Sequence, residues 1–144
     1  MTVVAPLPAD PRFAVGETTH WVIALNTDQA LLGRCYLALK RPETDVTALM
    51  GDELTDLWVG VRRVKAALDD LWTPDHYNYA FLMNVDPQVH FHVIPRYRGR
   101  REFAGGTFTD PEFGGHYRVG PERRLDDAGY DAVLAAVRQR LETS

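Results

Sequence analysis

The side chains able to do chemistry are concentrated in one stretch, Gln88-Val89-His90-Phe91-His92-Val93-Ile94-Pro95-Arg96. If it is a strand, Gln88, His90 and His92 project to one side, and Val89, Phe91 and Val93 to the other. Same-face neighbours about 7 Å apart can address one ligand together. An imidazole suits attack on phosphorus, because a free pKa of about 6.5 leaves it mostly neutral at pH 7. His90 is expected to attack, its reacting nitrogen freed by a hydrogen bond at the other ring nitrogen. His92 would stabilise charge on the phosphate oxygens or protonate the leaving group. Gln88 can only exchange hydrogen bonds with a phosphate. Two alternatives stand beside this reading. The histidines could be surface or structural residues, or H-x-H could hold zinc with a third ligand from His76, His116 or Asp86.

The rest of the chain limits what such a site can serve. With 144 residues, 45% hydrophobic and 25% charged, it reads as one soluble domain with enough core to fold without a metal or a disulfide. Cys35 is alone, and no apolar run is long enough to span a bilayer. The first ten residues lack the pattern of a secretory signal, so a cytoplasmic protein with no membrane partner is expected. A net charge of −4 argues against a broad grip on nucleic acid. Any phosphate must be held locally, and Arg96, Arg98, Arg100 and Arg101 form either such a grip or a solvated loop.

The positioning elements follow from periodicity. Residues 1–17, with Pro6, Pro8 and Pro11, read as an irregular arm, and 18–144 as a single domain. Runs at 20–25 and 34–39 predict a hairpin, and runs at 77–83 and 89–94 two further strands around the turn-forming Asn84-Val85-Asp86-Pro87. Leu54, Leu57, Trp58, Val61, Val64, Leu68 and Leu71 share one helical stripe over 52–71, stopped by Pro74. Tyr130, Val133, Leu134, Val137 and Leu141 predict a second helix over 126–141. Hairpins around a long helix favour an α+β domain: an antiparallel sheet of about five strands, a long central helix and a C-terminal helix. Neither a P-loop nor a Rossmann glycine fingerprint occurs.

The stretch from Gln88 to Arg96 resembles the signature of the histidine triad family, nucleotide hydrolases and transferases with three histidines alternating with hydrophobic residues, often closed by Pro-Arg. His90 matches the central histidine, which in that family carries a covalent nucleotidyl intermediate, and His92 matches the third. Gln88 stands where the first would be, a departure that keeps a catalytically weak nucleotide-binding protein as an alternative to the active enzyme. Asn26 matches a ribose-contacting position, Asn84 a phosphate-side asparagine, and Gly33-Arg34 a glycine-histidine pair. Trp21, Val22 and Leu25 lie near the position where members hold the base. The resemblance, nearest to the bacterial branch described as diadenosine polyphosphate hydrolases, implies a homodimer that cleaves a (di)nucleoside polyphosphate or phosphoramidate. No cofactor is required, though a divalent cation such as Mg could accompany the substrate. The glycine-rich segment from Phe103 to Tyr117 reads either as a flap over the site or as a surface loop.

Overall fold

The hydrophobic face of a sheet must be covered, and here two helices cover it. In the computed structural model, which describes residues 4–117 and 121–143, five strands form one antiparallel sheet in the order β1-β2-β3-β5-β4. They are β1 (Ala14–Glu17), β2 (Trp21–Leu25), β3 (Cys35–Leu39), β4 (His76–Phe81) and β5 (His90–Arg96). A small hairpin, β6 (Arg101–Phe103) with β7 (Gly106–Phe108), lies outside it. The expected α+β fold with two helices is the observed one. Residues 1–3 of the expected arm, and 118–120 and 144 of the expected domain, lie outside the described residues.

The register sorts every strand residue to a face. Ile23 pairs with Leu37 and Leu37 with Phe91, while Leu25 pairs with Cys35 and Cys35 with Val93, so these apolar rows line up beneath the helices. Helix α1 (Gly51–Trp72) buries Leu57, Val61, Val64 and Leu68 on them. At Gly60 a Cβ would stand 2.4 Å from Leu37 Cδ2, a close approach that only glycine permits. Trp21 is core, its indole N–H donating to Glu53 O at 2.9 Å. Cys35 is also fully buried, which pushes its thiol up to about 12. Helix α2 (Asp127–Glu142) adds Tyr130, Val133, Leu134, Val137 and Leu141 to the same core. Asp126 caps it by accepting from the Gly129 N–H at 2.8 Å.

Two expectations need correction. The arm expected over 1–17 is not irregular throughout. Ala14–Glu17 forms an edge strand on β2, and Phe13 and Val15 enter the core. The strand is too short for periodicity to reveal, and α2, distant in sequence, supplies the cover, with Tyr130 edge-on to Phe13 at 5.1 Å. The stripe on α1 is also narrower than its apolar residues. Leu54 and Trp58 remain 42% and 49% exposed, Trp58 meeting the sheet only through an edge-on contact with Phe91 at 6.0 Å.

Candidate active site

The second face of the sheet carries Tyr36, Ala38, His90 and His92, since Tyr36 pairs with His92 and Ala38 with His90. The ring of Tyr36 sits 5.6 Å from that of His90 and 6.2 Å from that of His92, and the two imidazoles are 4.8 Å apart. They form part of the wall of a cleft of about 610 Å³, a size that suits a small-molecule ligand. Leu7–Asp10 from the arm, Asn26–Asp28 after β2, Leu82–Asp86 after β4, and Glu122 with Arg124 supply its other walls.

His90 has one defined partner. Its Nδ1 lies 2.7 Å from the backbone oxygen of Gln88, and a carbonyl only accepts, so Nδ1 carries the proton and the lone pair resides on Nε2. His92 differs. Its Nδ1 is buried without a partner among the described residues, and burial first, then Arg34 and His90, lowers its pKa to about 3. At neutral pH it is an uncharged imidazole.

The sign of the resulting pH effect follows directly. Between about pH 3 and 6.5 the unfolded chain protonates this histidine and the folded one does not, so stability falls as pH drops through that window and is unaffected above it. The slope is about 1.4 kcal/mol per pH unit. His92→Asn should therefore flatten urea-derived stability between pH 6.5 and 4 relative to the wild type; parallel curves would contradict a neutral His92.

Gln88 is not where the alternation expectation puts it. Strand β5 begins at His90, and the Gln88 side chain turns away from the cleft into the polypeptide. Its Nε2 donates to Leu39 O and to Arg41 O, both at 2.8 Å, and its Oε1 accepts from the Glu43 N–H at 3.1 Å. It has no capacity left for a phosphate. Alternation fails because residue 88 belongs to a loop pinned to the β3–α1 connection, where Arg41 also binds the Glu53 carboxylate at 2.7 and 2.9 Å. That pairing holds Glu53 down to about 2. Gln88 thus acts on the site through its backbone oxygen. Gln88→Ala should strand the buried Leu39 carbonyl and the half-buried Arg41 carbonyl and Glu43 N–H, and cost about 2–3 kcal/mol in chemical denaturation; unchanged stability would mean that the clamp contributes nothing.

The other expected residues divide. Asn26 and Asn84 both line the cleft. Asn26 Oδ1 accepts from the Asp28 N–H at 2.9 Å, which leaves its amide nitrogen for a ligand. Of Trp21, Val22 and Leu25, the strand residues near the family's base position, only Leu25 reaches the cleft. The arginine run does not converge on it. Arg96 is buried and grips Asp110 at 2.7 and 3.1 Å, Asn78 at 2.8 Å, and the backbone oxygens of Glu112 and Gly115. Arg98 covers Phe113, Arg100 is exposed, and Arg101 donates to Trp72 O and Thr73 O. The segment expected as flap or loop is a hairpin followed by turns fastened by Arg96, and its last residue, Tyr117, places its ring 5.7 Å from the Arg34 guanidinium carbon. His76 and His116 line a separate depression, and among the described residues no three His, Cys, Asp or Glu converge as metal ligands.

Arg34, matched from sequence to the family's glycine-histidine pair, lines the cleft, and so do Tyr36, Asp28, Glu122 and Arg124, which were not singled out. For Tyr36 and Arg34 the signal was present in the alternation of 34–39, where they oppose the apolar Cys35, Leu37 and Leu39. The loop from 121 to 124 gave none.

A HIT domain model matches residues 8–99, from the arm through the strand that bears both histidines. The chain belongs to the HIT family. Solved HIT proteins share the fold. One from Sinorhizobium meliloti 1021 has a TM-score of 0.73 at 20% identity, covering 89% of this chain and 88% of that one. One from Marinobacter aquaeolei VT8 gives 0.71 at 21%, covering 96% and 98%, and one from Bradyrhizobium japonicum 0.69 at 22%, covering 89% of each. No curated protein matches the sequence. This HIT domain accordingly has a nucleotide-binding fold from a family of nucleotide hydrolases and transferases, and no described helix is long and apolar enough to cross a membrane.

Proposed function

We propose that the cleft binds a nucleotide and that His90 transfers its nucleotidyl group, cleaving a phosphoanhydride or phosphoramidate in the manner of a diadenosine polyphosphate hydrolase. The observation that carries this is the bond from His90 Nδ1 to Gln88 O, which leaves a nucleophilic Nε2 on a residue that lines the cleft. Its lone pair forms a P–N bond as the bond from phosphorus to the leaving group breaks, and the leaving group departs with that electron pair. Water then attacks phosphorus, the P–N bond breaks and the imidazole returns neutral; the proton that water gives up is released when the leaving group is a phosphate and replaces the one an amine takes up as it departs. His92, neutral at pH 7, donates or accepts a hydrogen bond but does not supply charge.

Asn26 and Asn84 are the proposed ribose and phosphate contacts; Gln88 is withdrawn from that role. Mg would enter with the substrate as a counterion to its oxygens. We further propose a homodimer. Met50 at the N-cap of α1, Leu54 and Trp58 on that helix and Tyr79 on the edge strand β4 are 41–53% exposed, and pairing two copies would cover them. Sedimentation of the wild type and Trp58→Glu tests the pairing, and a wild-type monomer at micromolar concentration would refute it. For the activity, purified protein is incubated with diadenosine tetraphosphate and with adenosine 5′-phosphoramidate. Release of AMP or of the complementary polyphosphate is expected, and no turnover of either would refute the hydrolase reading.

A further inference from the structure

Arg34 is a cation in an unusual position. Its side chain is only 13% exposed, its Nε is buried without a partner among the described residues, and its closest carboxylate oxygen, Asp28 Oδ2, stands 3.9 Å from Nη1. Burial pulls the guanidinium below its ordinary pKa. Asp28 is committed elsewhere, accepting through Oδ1 from the Ala30 and Arg123 N–H groups at 3.0 and 3.1 Å, and Glu122 pairs with Arg124 at 3.1 Å. An arginine N–H taken from water and given no acceptor is costly, so the position favours an anion that completes it.

The register says where that anion would lie. Ala38 is opposite His90 and Tyr36 is opposite His92. Arg34 comes two residues earlier on the same face, so the cleft presents His90, His92 and Arg34 in that order. His92 Nδ1, the second orphaned buried atom, belongs to the middle residue of the row. Beyond Arg34 the space continues into an adjoining pocket of about 250 Å³ that shares Asp28, Arg34 and Glu122 with the cleft.

We propose that Arg34 is the specificity-determining cation of the cleft, holding an oxygen of the phosphate next to the one His90 attacks, so that polyphosphates are preferred over substrates with a single phosphate. The inference rests on the reading of the cleft as a nucleotide site. It commits the leaving group to be a phosphate rather than an amine, because an amine would bring no oxygen to Arg34. A planar guanidinium suits this role, being able to donate two hydrogen bonds to one phosphate.

Calorimetric titration without divalent ions separates the two readings. Wild-type protein should bind ADP more tightly than AMP by on the order of 10- to 100-fold. In Arg34→Gln that gap should close through loss of ADP affinity alone, with AMP affinity unchanged, and Arg34→Lys should keep part of it. The melting temperature of Arg34→Gln should hold or rise, because a poorly paired buried charge is removed. Equal wild-type affinities for ADP and AMP would overturn the proposal and leave the nucleotide reading standing. So would a parallel loss for both ligands together with a fall in melting temperature, the result of a purely structural Arg34. Inorganic pyrophosphate bound in an Arg34-dependent way, with no binding of AMP, would support Arg34 and overturn the nucleotide reading. No binding of any of the three would overturn both.

Discussion

His90→Ala is expected to lower turnover of diadenosine tetraphosphate by on the order of 10⁴-fold or more, because losing the attacking atom removes the covalent route and not merely one contact. The fold should survive. Among the described residues His90 makes a single side-chain hydrogen bond, to Gln88 O, and the strand is secured by Phe91 and Val93 on its opposite face. Wild-type enzyme quenched in acid with labelled substrate should carry nucleotide on histidine, and the alanine variant should carry none. A variant retaining more than about a tenth of the wild-type rate, well short of what loss of a nucleophile costs, would remove His90 from the mechanism. His92→Ala should cost much less, on the order of 10²-fold, since a neutral imidazole there assists through hydrogen bonding.

The largest effect on stability is expected away from the chemistry, at Asp110. Its carboxylate takes both Arg96 contacts and the Tyr97 N–H at 3.1 Å, in a place where neither ion meets water. Asp110→Ala leaves the arginine buried and uncompensated, which costs about 3–5 kcal/mol. For a domain of this length that corresponds to a drop in melting temperature on the order of 10 °C. Asp110→Asn, which keeps an acceptor but not the charge, should fall between alanine and wild type. Arg96 also carries the turns that lead to Tyr117, so the same substitution should loosen the packing over Arg34, visible as faster amide exchange at 112–117. A melting temperature within 2 °C of wild type, too small a shift for a buried pair that holds the loop, would contradict that role.

These two sites show different relations between sequence and structure. The histidine pair was legible because alternation along β5 is a local property. Phe91 and Val93 must face the helices, which forces His90 and His92 to the other side. The arginine run was misleading for the same local reason. Four closely spaced arginines look like a phosphate grip, but Arg96 is buried among acceptors from 78, 110, 112 and 115, which are brought together only by the return of the loop.

The sequence by itself determined the α+β class, both helices, the central strands and the shared face of His90 and His92, because apolar period and a short motif are written in neighbouring residues. The tertiary structure alone decided that Ala14–Glu17 joins the sheet, that Gln88 clamps the β3–α1 connection instead of facing the cleft, and that Arg34 lines the cleft while Arg96 does not. The physical reason is common to all three. A hydrogen bond or an ion pair between residues tens of positions apart depends on which backbone groups the fold leaves unpaired, and a sequence does not state that until the strands have found their register.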